Sequence, residues 1–186
     1  MKFDKIVKEN LPLAIRIQHD IFPLEDGSPF LIFSVEKRVV SHLNMLDYWL
    51  AYENEKVVGI VGLYSYEEYP NEAWLGWFGV LENCRRKGFG KRIFDWAKNE
   101  AIKRGFENLR LYTDRVANAV AVKFYKKQGM IVEEYDNATD LHSAIGRTLI
   151  CSISLAGNSV DKWRSKSIFL RQLEDCAQSL KDSEKI

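Results

Sequence analysis

The sequence predicts a single α/β domain with a central mixed, mostly antiparallel sheet and helices on both faces. Three observations lead there. A chain of 186 residues with 46% hydrophobic and 28% charged residues is long enough to bury one real core and is ordinary for a globular protein. Residues 48–52 and 56–66 are rich in Tyr, Trp, Val and Ile and are joined by the polar turn Glu53-Asn54-Glu55, the pattern of a β-hairpin. An apolar run at 73–80, a helical pattern over 88–104 and a second apolar run at 109–113 give strand, helix, strand. That order implies a right-handed crossover between parallel strands.

The remaining elements follow in order. Residues 3–7 form a short strand, and Asn10 can cap a helix reaching about residue 22, with Pro12 in its first turn. Leu13, Ile17 and Ile21 recur every fourth residue and mark its buried face. Residues 23–29, with Glu25, Asp26 and Gly27, read as a loop, and 35–46 as a second helix. In the strand at 73–80, Gly76 and Gly79 point to a bulge or a close approach of another backbone. Phe89, Ile93, Ala97 and Ala101 share a face of the helix over 88–104, which Gly105 stops. Residues 118–128 form a very apolar helix ended by Gly129, and strands at 130–135 and 147–155 flank a loop at 136–144. Residues 159 to about 182 read as an amphipathic C-terminal helix appended to the core, with Trp163, Leu170, Leu173, Ala177 and Leu180 on one face. No internal repeat or low-complexity linker divides the chain, so residues 1–186 are expected to be one domain.

Charge and cysteine usage exclude several classes. The net charge is +1, and the basic residues form one small cluster and no extended stripe, which disfavours nucleic acid. Cys84, Cys151 and Cys176 are odd in number and unpaired in spacing, so neither a disulfide framework nor a metal site is expected, and a reducing cytoplasm fits. No export signal or membrane-length apolar run is present, and the Asn137-Ala138-Thr139 sequon is read as chance.

The chemistry concentrates at Arg85-Arg86-Lys87-Gly88-Phe89-Gly90, between the strand at 73–80 and the following helix. A helix N-terminus presents unpaired N–H groups and a partial positive charge, and Gly88 and Gly90 leave the backbone open to a ligand. With Lys91 and Arg92 adding charge, the turn is either a polyphosphate cradle or a basic solvated turn. It is not a nucleotide P-loop, since no Lys-Ser/Thr follows the glycine, nor a Rossmann turn, which needs three glycines.

Arg85-x-x-Gly88-x-Gly90, five residues beyond Val80, resembles motif A of the GNAT superfamily of acetyltransferases. Asn118-Ala119-x-Ala121-x-x-Phe124-Tyr125-x-x-Gln128-Gly129-Met130 resembles that superfamily's second cofactor element. The close likeness covers residues 73–135. It implies a GNAT-like domain that is an acyl-CoA-dependent N-acetyltransferase, with acetyl-CoA as cosubstrate and no metal. The coenzyme A pyrophosphate would sit on the N–H groups of Arg86, Lys87, Gly88, Phe89 and Gly90, with Arg85 and Lys91 adding charge. Its pantetheine would pair with Phe78-Gly79-Val80, where an N–H of Gly79 or Val80 could polarise the thioester carbonyl. Tyr125 is in the position of the family's general acid, and the competing reading is core packing beside Phe124. Asn118 would contact the pantetheine, cap its helix, or both. Lys123 could reach a phosphate.

The departure lies in the base. Many family members carry Glu or Asp four or five residues before the valine, which here gives Gly76 and Leu75. Glu72, Glu25, Asp26 and His42 are the remaining candidates, each otherwise a plain surface residue. Trp74, Trp77, Phe78, Tyr64, Tyr66 and Tyr69 either pack the core or line an acceptor cleft suited to an apolar or cationic amine. The expected partner is a small-molecule or peptide amine, with no nucleic acid and no membrane. A homodimer could form through the C-terminal helix. A catalytically silent acyl-CoA-binding module and an interaction protein are the alternative functions.

Overall fold

The computed structural model describes residues 1–37, 43–135 and 148–165. Its sheet has seven strands: β1 (Lys2–Lys5), β2 (Leu43–Glu53), β3 (Lys56–Tyr66), β4 (Glu72–Val80), β5 (Asn108–Asp114), β6 (Ile131–Glu134) and β7 (Thr148–Ser154). They lie in the order β1-β2-β3-β4-β5-β7-β6. The β4–β5 pair alone is parallel, and every other neighbouring pair is antiparallel. Helices α1 (Leu11–Ile21) and α2 (Ser28–Glu36) cover one face of the sheet, and α3 (Phe89–Lys103) and α4 (Ala119–Lys127) the other. This is the single mixed-sheet α/β domain that the sequence predicts.

The hairpin and the crossover form as expected. Asn54 and Glu55 both take left-handed backbone angles (φ 47° and 62°), which twists a two-residue turn to match the strands it joins. Helix α3 buries Ile93, Phe94, Ala97 and Ala101 against the sheet and ends at Gly105, where φ is +86°.

Several expectations are corrected. No helix spans 35–46: α2 begins earlier, at Ser28, and Leu43 to Leu46 belong to β2. The start signal lies in what reads as a loop. Asp26 Oδ1 accepts from the Ser28 N–H (2.9 Å) and hydroxyl (2.6 Å), and Pro29 fits the first turn. Lys37, at φ 50°, closes the helix. Asn10 stands at the N-cap of α1 but does not cap it. Its Oδ1 accepts from the Val7 N–H (2.8 Å) and its Nδ2 donates to the Lys5 carbonyl (3.1 Å), tying the helix start to β1. Helix α4 buries only Tyr125, and so is far less enclosed than a very apolar helix.

Residues 159–165 are irregular, so no helix starts at 159; the rest of the expected C-terminal helix lies outside the described residues, as do His42, Cys176 and the sequon. Trp163 is nonetheless buried, its ring 4.9 Å from Trp74 and 4.6 Å from Tyr69. The Arg110 guanidinium lies 5.2 Å from the Trp163 ring and donates to the Asp161 carbonyl (2.9 Å), which fastens this segment to the sheet.

Candidate active site

The parallel pair is short. β4 and β5 are paired only from Glu72/Asn108 to Trp74/Arg110, after which β5 follows β7 to Asp114 and β4 follows β3 to Val80. The edge of β4 that faces β5 is therefore open from Leu75 onward, and a wedge-shaped cleft separates the strands. On that stretch β4 carries a bulge. Ile60 opposes Gly79 but Gly62 opposes Gly76, so one extra residue is accommodated around Trp77 and Phe78. Trp77 takes a left-handed φ of 42°, rare for a bulky residue.

The bulge falls at Trp77 rather than at Gly79. The Gly79 α-carbon faces α1, where a Cβ would lie 2.3 Å from Ile21 Cγ2 and 2.9 Å from Phe22 Cζ. On β3, where Gly59 pairs with Val80, a Cβ on Gly59 would meet the Gly79 carbonyl oxygen at 2.4 Å, so these glycines let β3, β4 and α1 close on one another.

Trp77 is turned toward the α1–α2 loop, its ring centroid 5.2 Å from Phe22 and 6.1 Å from Phe30. A Cβ on Gly27 would stand 2.7 Å from the same indole. Gln18, itself buried, donates to the Glu25 carbonyl at 3.0 Å and fixes the loop. The loop brings Glu25 within electrostatic reach of Asp114, at the end of β5. Partial burial first, and the Asp114 charge second, raise the Glu25 carboxyl above its ordinary value.

Beyond Val80 the chain makes a short turn at Glu82–Cys84, runs extended at Arg85 and passes through two left-handed residues, Arg86 (φ 62°) and Gly88 (φ 81°). Helix α3 then starts at Phe89, and the Arg92 N–H is the first to reach back, to the Gly88 carbonyl (3.2 Å). The N–H groups before it are left to the concavity. Apart from its chain neighbours, no described residue comes within 4 Å of the point a Gly88 Cβ would occupy. Arg85 Nε donates to the Val80 carbonyl (3.1 Å) and Lys87 Nζ to the Asn83 carbonyl (2.9 Å), which tie the turn together.

Not all the basic residues expected to surround the turn do so. Lys91 is ion-paired with Asp95, and Arg92 makes a two-pronged bridge to Glu53 at 2.9 and 3.1 Å. The charge left for an anion is that of Arg85, Arg86 and Lys87.

On the opposite wall Tyr125 is buried on α4, its ring 6.2 Å from Phe78, 5.6 Å from Phe124 and 6.4 Å from Phe94. Phe78 thus links the open strand edge to the tyrosine. Burial, with a smaller contribution from the Cys151 thiol, holds the Tyr125 phenol above its ordinary pKa, and burial pushes Cys151 itself up to about 12. Asn118 is at the α4 N-cap without making a side-chain cap bond. Asp114 instead closes the turn that precedes the helix, its Oδ1 accepting from the Val116 and Ala117 N–H groups at 2.7 Å each.

Two of the candidate bases are committed elsewhere. Glu72 is bound by Arg110 Nε (2.6 Å) and Asn108 Nδ2 (2.9 Å) at the closed end of the parallel pair. Asp26 holds Ser28, which lowers its carboxyl pKa. Of the aromatic group, Tyr64, Tyr66 and Trp74 are core residues, while Trp77 and Phe78 are half-buried at the bulge. The left-handed Trp77 and the reach of Asp114 were missed in the sequence; Gly27, which leaves room for the indole, is a local sign of the former's packing. Among the described residues no group of three or more His, Cys, Asp or Glu could hold a metal, and no helix is long and apolar enough to cross a membrane.

The comparisons agree with this geometry. The profile of the Acetyltransferase (GNAT) family matches residues 16–130. The Xenopus laevis protein named "Probable N-acetyltransferase camello" is 33% identical over 82 residues, which take in 44% of this chain and 37% of that protein. The chain thus spans well under half the length of that relative. A GNAT-family structure from Desulfovibrio desulfuricans superposes with a TM-score of 0.70 at 15% identity, over 83% of this chain and 99% of that one. The PaiA N-acetyltransferase of Thermoplasma acidophilum, solved in complex with coenzyme A, superposes at 0.61 with 18% identity, over 82% and 98%. With the profile covering more than half its length, and with the open β4 edge above a glycine turn, the chain belongs to the GNAT acetyltransferase family.

Proposed function

We propose that the protein transfers the acetyl group of acetyl-CoA to an amine of a small molecule or peptide, by direct attack within a ternary complex. The observation that carries this is the open edge of β4 leading straight into the left-handed turn at Arg86 and Gly88. An extended, amide-bearing pantetheine can pair with Phe78, Gly79 and Val80 as an added strand. The pyrophosphate then falls on the N–H groups from Arg86 to Gly90, where the α3 N-terminus and the side chains of Arg85, Arg86 and Lys87 offset its charge without a metal. Lys91 would contribute once released from Asp95, and Asn118, free of capping, is available to the pantetheine.

The thioester carbonyl would lie at the bulge, where N–H groups off the ladder can receive the oxyanion. Attack by nitrogen forms the C–N bond, and collapse of the tetrahedral intermediate breaks the C–S bond. Tyr125 supplies the proton that the departing thiolate takes up. Its raised pKa keeps the phenol protonated, the state a donor requires. Glu25 at the cleft mouth favours a cationic acceptor and repels an anionic one.

The test is a transfer assay across primary amines with acetyl-CoA. Tyr125→Phe should lower kcat by roughly 10²-fold while coenzyme A affinity is nearly unchanged. An unchanged kcat would remove Tyr125 from the chemistry. Binding of acetyl-CoA with no turnover on any amine would leave a silent acyl-CoA-binding module.

A further inference from the structure

Tyr48 in β2, Gly62 in β3 and Gly76 in β4 lie in one row across the sheet, each paired with the next. The row is cleared for the tyrosine. A Cβ on Gly62 would stand 2.1 Å from the Tyr48 ring, and a Cβ on Gly76 would stand 3.1 Å from its hydroxyl. The Tyr48 side chain thus crosses β3 over one glycine and delivers its oxygen to β4 over the other. Gly76 is two residues past Trp74, the last residue paired with β5, and immediately precedes Trp77 at the bulge. The hydroxyl therefore lies over β4 between the last residue paired with β5 and the bulge, beside the edge that opens there.

Other hydroxyls surround it. Tyr64 carbons come within 3.3 Å of the same Gly76 position, and Tyr64 shares a hydrogen bond with Tyr66. Tyr48 and Tyr112 both act electrostatically on Tyr64 and Tyr66, and Tyr135 acts on Tyr66. Trp74 Nε1, buried beside Tyr64 and Tyr66, has no hydrogen-bond partner. Tyr48, Tyr64 and Tyr66 are 1–3% exposed, whereas Tyr112, on the β5 side of the cleft, is 37% exposed. The cluster therefore runs from the buried Tyr48 hydroxyl beside the opened β4 edge to the exposed Tyr112.

We propose that Tyr48 accepts the proton of the attacking nitrogen and relays it, standing where β4 itself offers no titratable side chain. The inference rests on the acetyl-transfer reading above. An aliphatic acceptor arrives as its ammonium ion, and one N–H proton passes to the Tyr48 oxygen, which frees the lone pair that forms the C–N bond; the tetrahedral nitrogen, far more acidic, sheds its second proton to water. The hydroxyl proton of Tyr48 passes in turn to a neighbouring hydroxyl of the cluster, and from Tyr112 a proton leaves to water. No phenol of the relay ends charged, which suits Tyr64 and Tyr66, whose hydroxyls burial keeps neutral. The C–S electron pair leaves on sulfur, which takes the Tyr125 proton, and water restores that proton.

The test compares wild type with Tyr48→Phe, which keeps the ring in its lane, on two nitrogen acceptors. One is the aliphatic primary amine turned over fastest in the screen above, and the other is hydroxylamine, weakly basic and already neutral at pH 7. The expected result is a loss of kcat of about 10²-fold for the aliphatic amine, a much smaller loss for hydroxylamine, and an unaltered melting shift with acetyl-CoA. Gly76→Ala, which pushes the hydroxyl aside with Tyr48 intact, should show the same selectivity. Equal losses on both acceptors, or none, in Tyr48→Phe would overturn the relay and leave acetyl transfer standing. No turnover of any amine by wild type would overturn both.

Discussion

Desolvation acts on two groups beside the cleft and suits them to opposite ends of a proton transfer. Burial holds the proton on Tyr125, as the proposed donor to the leaving thiolate requires. Glu25 is a more willing proton acceptor than an exposed glutamate. A carboxyl whose folded pKa is raised favours folding while protonated, and that advantage is lost as pH rises through the folded value. Ionised Glu25 therefore costs stability at neutral pH. Glu25→Gln should raise Tm at pH 7, by a margin that closes on acidification, and should raise KM for a cationic amine; an unchanged Tm with unchanged KM would show that the side chain is merely solvated. Both residues are candidates in the sequence, but the Glu25 shift is not legible there, because it depends first on burial in the folded loop and second on Asp114, 89 positions away in the chain.

At the scale of elements, the glycines differ by what stands beside them. Gly59→Ala would drive a Cβ into the Gly79 carbonyl at 2.4 Å, backbone against backbone, and should destabilise the protein by roughly 1–3 kcal/mol, read from denaturant unfolding. Gly90→Ala meets only ordinary contacts, at 3.8 Å to Val80 and 3.9 Å to Phe124, and should leave stability unchanged or improve it by up to about 1 kcal/mol through helix propensity. Equal effects would contradict the packing described. Elements with strong local patterns emerge where the sequence places them: β3 at 56–66, and α3 within a residue of its expected ends. The α2 region was misread because its apolar run, Phe30 to Val35, has no one-sided periodicity, and because Leu43 to Leu46 are claimed by pairing with Tyr64 to Tyr66. The glycine turn before α3 was legible because its constraints are local, a left-handed glycine and a helix start. The Tyr48 row was not, since Tyr48, Gly62 and Gly76 become one feature only when three strands align.

Across the whole molecule, the closed end of the parallel pair anchors the open one. Arg110, 3% exposed, is held by Glu72, by Ser152 Oγ at 2.8 Å and by the Asp161 carbonyl, and it carries the Trp163 segment with it. Removing Glu72 would leave a buried guanidinium without its counter-charge. Glu72→Ala should cost about 3–5 kcal/mol, and a change within 0.5 kcal/mol would mean that the pair is not structural. This anchor and the β4–β5 divergence hold the two halves of the sheet apart at the site, so the binding of acetyl-CoA tests the account most directly. The measurement is the melting temperature with and without acetyl-CoA, with ATP as a control polyphosphate. At ligand ~100-fold above Kd, binding adds about 2.7 kcal/mol, a rise of roughly 5 °C or more for a chain of this size. A rise with acetyl-CoA and none with ATP is the predicted result. No rise with acetyl-CoA, or an equal rise with ATP, would contradict a cleft built for coenzyme A.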